Sequence, residues 1–408
     1  MTSRRSLGIL AAVVLVLAAA LGAFYVTRSK TPTQVLVPPS TPMPTGASAT
    51  VPAPTPTPAP VAYGYVHLAA PGRIVLRSER DGSPVFEFTG VSPAVSSDGK
   101  RLAYWRTGTP ISTQETDVFS PKGVDLRILD VADPITERTV FSAPGDTYGA
   151  NIVWSNDGQG LLIATYSRET VGGAGLGSGT PARYDLVMLD LTTTPATQRP
   201  AATQVSRGFV YLPVAWDRPG QIAAGVVTGE GGFVTEYVTW NGNGNPANPF
   251  TRTPLRNVIA GTVQASADAK FLMGGEAGGV RIWPINDVSK SSLIQRPSPI
   301  SNPFWRSGPG YFTIWSIGVP TQTVEMTQYG TDGSIALYTV SGTDRAYAAA
   351  SRPDGSAVLV IQSGPSPRTD PPAPATKLVI VDVATKQAGQ MWTTTGDLRI
   401  LPRGLLLR

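Results

Sequence analysis

The stretch Val95-Ser96-Ser97-Asp98-Gly99-Lys100-Arg101-Leu102-Ala103-Tyr104 places apolar residues on either side of a short polar turn. Asp-Gly in that setting is a hairpin signal, because glycine accepts the positive φ of a two-residue turn that residues with a Cβ resist. The pattern returns at Val153-Trp154-Ser155-Asn156-Asp157-Gly158-Gln159-Gly160-Leu161-Leu162-Ile163 and at Ser351-Arg352-Pro353-Asp354-Gly355-Ser356-Ala357-Val358-Leu359. Looser copies stand at Ala215-Trp216-Asp217-Arg218-Pro219-Gly220, at Ala265 to Leu272 and at Phe304 to Gly310. Turn positions 98, 157, 219, 268, 308 and 354 are separated by 59, 62, 49, 40 and 46 residues. Those steps surround the roughly 40 to 50 residues of one four-stranded propeller blade, with surplus length in loops.

Each unit reads as a blade hairpin followed by later strands such as Leu126-Arg127-Ile128-Leu129-Asp130. The expected fold class is therefore all-β, a β-propeller over residues 63–408. Both ends of that region look incomplete. Ile400 to Leu407, with Arg403-Gly404 at its turn, reads as a further first hairpin without later strands. Tyr65 to Leu68 and Arg73 to Arg77 read as third and fourth strands lacking their first two. The expectation is seven four-stranded blades, with N- and C-terminal strands sharing the closing blade and so removing exposed sheet edges. Six blades with irregular terminal strands is the alternative.

The hairpins resemble those of the WD-repeat and TolB-like propeller families. Gly278-Gly279-Val280-Arg281-Ile282-Trp283 is similar to the strand that ends in Trp-Asp in WD repeats, with Pro284 where Asp is expected. Ser96 to Ala103 and Arg352 to Ser356 resemble TolB-type blade hairpins. The resemblance covers most of residues 63–408 in short, degenerate motifs, and implies a fold without a function.

Upstream the composition changes twice. After Arg4 and Arg5, an almost unbroken apolar run from Leu7 to Val26 has the length of a bilayer-spanning helix. Residues 1–30 are read as a cytoplasmic stub and a transmembrane signal-anchor, with the bulk of the chain extracytoplasmic at the cell membrane. A cleaved export signal, giving a secreted protein, is the competing reading. Residues 31–62 form a Pro/Thr/Ala-rich linker with no charged residue, as in Thr55-Pro56-Thr57-Pro58-Ala59-Pro60. As polyproline II it would reach roughly 100 Å, at about 3.1 Å per residue.

The net charge of +5 does not belong to the propeller region. Arg4, Arg5, Arg28 and Lys30 account for four of the 33 basic residues, which leaves 29 against 28 acidic residues in 63–408. That near-neutral balance lacks the basic footprint of a nucleic-acid binder, and no nucleic-acid partner is expected. The absence of cysteine excludes disulfides, thiolate metal sites, cysteine nucleophiles and a lipidated cysteine.

Catalytic chemistry has few carriers. His67 is the single histidine and sits in an expected strand, where a packed imidazole is the simpler reading; no nucleophile elbow accompanies it. Asp98, Asp157, Asp268 and Asp354 recur at equivalent turns, which marks turn formers rather than a carboxylate pair. Glu230, Glu236, Glu276 and Glu325 break the repeat and are the acids that could converge at a propeller mouth. Gly172 to Gly179 lacks the strand-before, helix-after context of a phosphate-cradling loop and reads as an inter-strand loop. Trp154, Trp216 and Trp305 share one repeat position, which argues for packing between blades, whereas Trp105, Trp240, Trp315 and Trp392 are less constrained. No catalytic, cofactor or metal residue is assigned. The expectation is a non-catalytic binding or scaffolding module for an envelope or cell-surface protein or polymer, held to the membrane through residues 7–26. The alternative is an extracellular polymer hydrolase or lyase using carboxylates at the propeller mouth.

Overall fold

The computed structural model describes residues 63–70, 72–108, 122–168, 182–206, 210–228, 233–241, 251–295, 304–306, 310–314, 321–327, 334–341, 345–363 and 376–394. All lie in one compact unit, Pro58–Arg408. The apolar run Leu7 to Val26, the linker, the Gly172 to Gly179 loop and the C-terminal hairpin Ile400 to Leu407 lie outside the described residues. Among the described residues no helix is long and apolar enough to cross a membrane.

Among the described residues, apart from two short 3-10 turns, the regular elements are antiparallel strands. The first sheet runs in sequential order through β1 (Tyr63–Ala70), β2 (Arg73–Ser78), β3 (Pro84–Val95), β4 (Arg101–Arg106), β5 (Asp125–Asp130) and β6 (Asp133–Ser142). Four-stranded sheets follow. The second holds β7 (Tyr148–Trp154), β8 (Gly160–Arg168), β9 (Ala182–Asp190) and β10 (Thr197–Ser206). The third holds β11 (Val210–Asp217), β12 (Ile222–Thr228), β13 (Val234–Asn241) and β14 (Thr251–Pro254). The fourth holds β15 (Gln264–Ala265), β16 (Phe271–Glu276), β17 (Gly279–Pro284) and β18 (Ser292–Gln295). The fifth holds β19 (Phe304–Arg306), β20 (Gly310–Ile314), β21 (Thr321–Thr327) and β22 (Ser334–Ser341), and the last β23 (Arg345–Ser351), β24 (Ala357–Ser363), β25 (Thr376–Asp382) and β26 (Ala388–Thr394).

This is a propeller-like, all-β arrangement. The first expected hairpin joins β3 to β4, and the five that follow each join the first two strands of a four-stranded sheet. The N-terminal end departs from the expected pair of strands. Three strands are present there, because β3 is long enough to serve two partners: Pro84 to Thr89 pairs with β2, and Gly90 to Val95 pairs with β4. Phe86 and Phe88 account for the extra pairing, since both pack on the cluster of Ile74, Leu76, Leu102 and Tyr104.

The turns also differ from expectation. The turns at Asp98, Asp157, Asp268 and Asp354 are four-residue loops, not two-residue ones. Ser96 N donates to Arg101 O at 2.9 Å and encloses residues 97–100, and Gly99 N returns to Ser96 O at 2.8 Å. Asp98 is not at a positive φ. Its carboxylate accepts from Ser96 Oγ at 2.5 Å and from Lys100 N at 3.1 Å, an Asx-type closure. The left-handed position falls on the next residue, Gly99, with φ 71°. The second turn repeats the scheme with Ser155, Asp157 and Gly158, and the fourth with Ser266, Asp268 and Ala269, whose φ of 55° is held without glycine.

Apolar clusters fill the interfaces between successive sheets. Trp105, Leu126, Trp154 and Ile163 belong to one, and Leu186, Trp216, Ala223 and Trp240 to the next. Trp105 shows how tightly these faces meet. Its indole is fully buried and Nε1 donates to Ala150 O of β7 at 2.6 Å. A Cβ at Gly149 would stand 2.2 Å from its ring, so the strand approaches the indole only because that residue has no side chain. At the far end of the chain, Tyr65 of β1 packs with Ala350, Leu359, Ile361 and Leu378 of the last sheet. N-terminal and C-terminal sheets are thus direct neighbours.

Candidate functional site at the axial cavity

The second half of β3 and the first strands of the four-stranded sheets line a cavity of about 450 Å³. Its wall is built from Pro93 to Val95 of β3, Asn151 to Trp154 of β7, Leu212 to Trp216 of β11 and Gln264 with Ala265 of β15. Trp305 of β19 and Ser351 of β23 continue it. Because the innermost strand of a blade faces the propeller axis, a cavity shared by these strands is axial. No charged side chain stands among its described lining residues.

The tryptophans at the shared repeat position are structural parts of this wall. Trp154 Nε1 donates to Ala94 O of the preceding sheet at 2.9 Å, and Trp305 Nε1 donates to Gln264 O of its preceding sheet at 3.1 Å. Both indoles are mostly buried. Their donors are spent on coupling neighbouring inner strands, in agreement with the packing role expected from the repeat.

A polar network crosses the turns at one end of the cavity. Asn156, in the second turn, is its centre. Its backbone O accepts from Ser97 Oγ of the first turn at 3.0 Å. Its Nδ2 donates to Asp217 Oδ1 at 2.9 Å and to Asp268 O at 3.0 Å, reaching the third and fourth turns. Asp217, 2% exposed, also receives Gly220 N at 3.1 Å and forms an ion pair with Lys270 of the fourth turn. Arg218 bridges Asp157 at 2.9 Å and Asp190 at 3.1 Å. Burial alone would raise the carboxyls of Asp98 and Asp157, but hydrogen bonds from the neighbouring serines and backbone amides outweigh it and hold both below the usual range. Asp190 is held low in the same way by Thr192 and Arg218.

None of the described candidate acids stands in the cavity wall. Glu276, 4% exposed, is gripped by Arg281 at 2.7 and 2.8 Å, and Glu236 of β13 faces Arg252 at 3.3 Å. Glu325 lies on β21 in the fifth sheet, and Glu230 lies outside the described residues. The recurrent aspartates close turns, as their recurrence implied. His67 is buried in β1, far in sequence from any of these acids, with Arg77 Nε donating to its Nδ1 at 3.1 Å. Among the described residues no cluster of His, Asp or Glu could hold a metal ion. Sequence reading missed the Asn156–Asp217–Lys270 network. Its signal was a departure inside the repeat, since Asp217 stands where the first, second and fourth turns carry serine.

Comparison with known proteins yields no matching family model and no matching curated protein. Solved structures do match. An acylaminoacyl peptidase from Pyrococcus horikoshii superposes with a TM-score of 0.50 at 12% identity, over 79% of this chain and 48% of that one. The fold is a β-propeller. This chain spans about half of that peptidase's length, and a likeness at such identity speaks of fold alone. An uncharacterized protein from Listeria monocytogenes matches at TM-score 0.47 and 10% identity, over 75% of this chain and 82% of that chain. TolB from Acinetobacter baumannii matches at TM-score 0.41 and 12% identity, over 82% and 80%. These matches bear on the fold and leave the function to the site.

Proposed function

We propose that this chain is an extracytoplasmic binding module, a propeller that receives an uncharged segment of an envelope protein or polymer in its axial cavity. The observation that carries the reading is the cavity wall. Aliphatic side chains such as Val153, Leu212 and Val214 line it beside the amides of Asn151 and Gln264, with no charged side chain among the described lining residues. Such a surface recognises by shape and neutral hydrogen bonds, whereas acid–base catalysis needs titratable groups at the reacting atoms. The anchor at residues 7–26 and the linker at 31–62 belong to the same proposal, holding the propeller outside the membrane. So does a count of seven blades, with the C-terminal segment supplying the innermost strand beside β1, β2 and the first half of β3.

A photo-crosslinking amino acid at Asn151 or Val214 of the full chain, in membranes of its host, tests the reading. A discrete adduct is expected at both positions and none at Ile135, which lies on the outer strand β6 and is 80% exposed. Equal capture at Ile135, or no adduct at either wall position, would reject the axial site.

A further inference from the structure

The single histidine lies at the interface between the N-terminal sheet and the last one. His67 of β1 is 6% exposed. Its Nδ1 accepts from Arg77 Nε of β2 at 3.1 Å, and its ring meets the edge of Trp392 of β26 at 5.2 Å. The Arg77 guanidinium lies over the same indole, 3.9 Å from the ring centroid, while Nη1 donates to Gly82 O at 2.7 Å. Gly82 has φ +69°, and a Cβ there would stand 2.6 Å from Trp392 Cβ, so the turn after β2 is pressed directly on the last strand. Imidazole, guanidinium and indole thus form one stack that joins the two ends of the ring.

We propose that this stack is an acid-sensitive latch: His67 must be neutral to accept from Arg77, and its protonation releases Arg77 from Trp392 and loosens the N-terminal sheet from the last one. A protonated Nδ1 would set an N–H against the Nε–H of Arg77 and a second positive charge beside the guanidinium. The unfolded chain imposes no such conflict. Below the ordinary histidine range, about pH 6.5, the unfolded state therefore binds more protons at this residue. Stability from the latch is complete above that pH and is lost as pH falls.

The other titratable groups of the cluster do not change charge in the same window: the Tyr65 phenol is pushed up by burial and stays neutral, and the remaining groups act on Tyr65 and Arg77. Among the described residues those groups are Arg73, Asp81 and Glu87 of the N-terminal sheet. Hydrogen bonds hold the Asp81 and Glu87 carboxyls low, from Ser83 to Asp81 and from Arg73 to Glu87. Both stay charged through the window in which the imidazole titrates. The ion pair of Glu79 with Arg352 crosses the same interface and gives a second tie that is independent of His67.

Because the chain has one histidine, its imidazole can be followed without assignment. The full chain, labelled at histidine carbon and held in detergent, is titrated by NMR, and thermal unfolding is compared between wild type and His67→Asn at pH 7.5 and 5.5. Asparagine keeps an acceptor near the Nδ1 position and does not titrate. At about pH 6 the folded protein should still show a neutral imidazole, where free histidine is mostly protonated. The wild-type Tm should fall by more than that of the variant on acidification. A protonated imidazole in the folded protein at that pH, or equal Tm losses in both chains, overturns the latch. If the variant does not fold, the imidazole titration of the wild type decides alone.

Discussion

Two regions join sheets in this molecule by opposite means. Across the first four turns, the joints are polar and repeat-derived: Asn156, Asp217, Arg218 and Lys270 bond from one Asx-closed loop to the next. At the seam between β1–β2 and the last sheet, the joint is aromatic and cationic, and none of Tyr65, His67, Arg77 or Trp392 occupies a repeat position. The first kind of joint can be lost one bond at a time. The second ties the N-terminal sheet to the last one through a single stack, so its loss loosens that whole seam at once.

That contrast is most severely tested at the C-terminal segment. On the proposal that residues 396–408 supply the strand beside β1, deleting them is expected to unfold the whole propeller, because the shared blade would be short of a strand and expose an edge. A truncated chain that melts at the parental temperature would show that the N-terminal sheet closes the ring without it.

Within the body of the ring, Trp105→Ala is expected to cost about 3–5 kcal/mol, since a fully buried indole and its hydrogen bond to Ala150 O are lost together. Urea unfolding measures it, and a cost under about 1 kcal/mol would mean that the neighbouring sheet collapses into the void.

Asp217→Ala is expected to cost less, about 2 kcal/mol. It strips Asn156 and Gly220 of a buried acceptor, while Lys270, whose side chain is half exposed, can turn to water. If Asp217→Ala and Lys270→Met combine without coupling in a double-mutant cycle, the ion pair is only a surface contact.

The smallest effect sharpens the comparison among the turns themselves. Ala269→Gly relieves a φ of 55° in the one Ser-x-Asp turn that lacks glycine, and a change within about 1 kcal/mol is expected, toward greater stability. Destabilisation would mean that the buried Ala269 methyl contributes more to packing than its backbone costs.

Much of this was legible because it is local. An Asp that closes a loop needs its partners within a few residues, so Ser96, Asp98 and Gly99 signal their turn wherever it stands in the fold. The packing role of Trp154 and Trp305 was legible for a related reason, as a repeated position in a repeated unit meets a repeated neighbour. The third N-terminal strand was harder to see, because Pro84 to Val95 reads as one run while its two halves answer to different partners.

The sequence by itself determined the strand content, the turns and the repeating sheets, since hydrophobic alternation and turn chemistry act over a few residues. The cavity, the Asn156 network and the His67 stack were decided only in the tertiary structure. Each brings together residues tens to hundreds of positions apart, and His67 meets Trp392 only because the ring returns to its start. No local pattern encodes which inner strands will face one another across an axis, and that is where the candidate site lies.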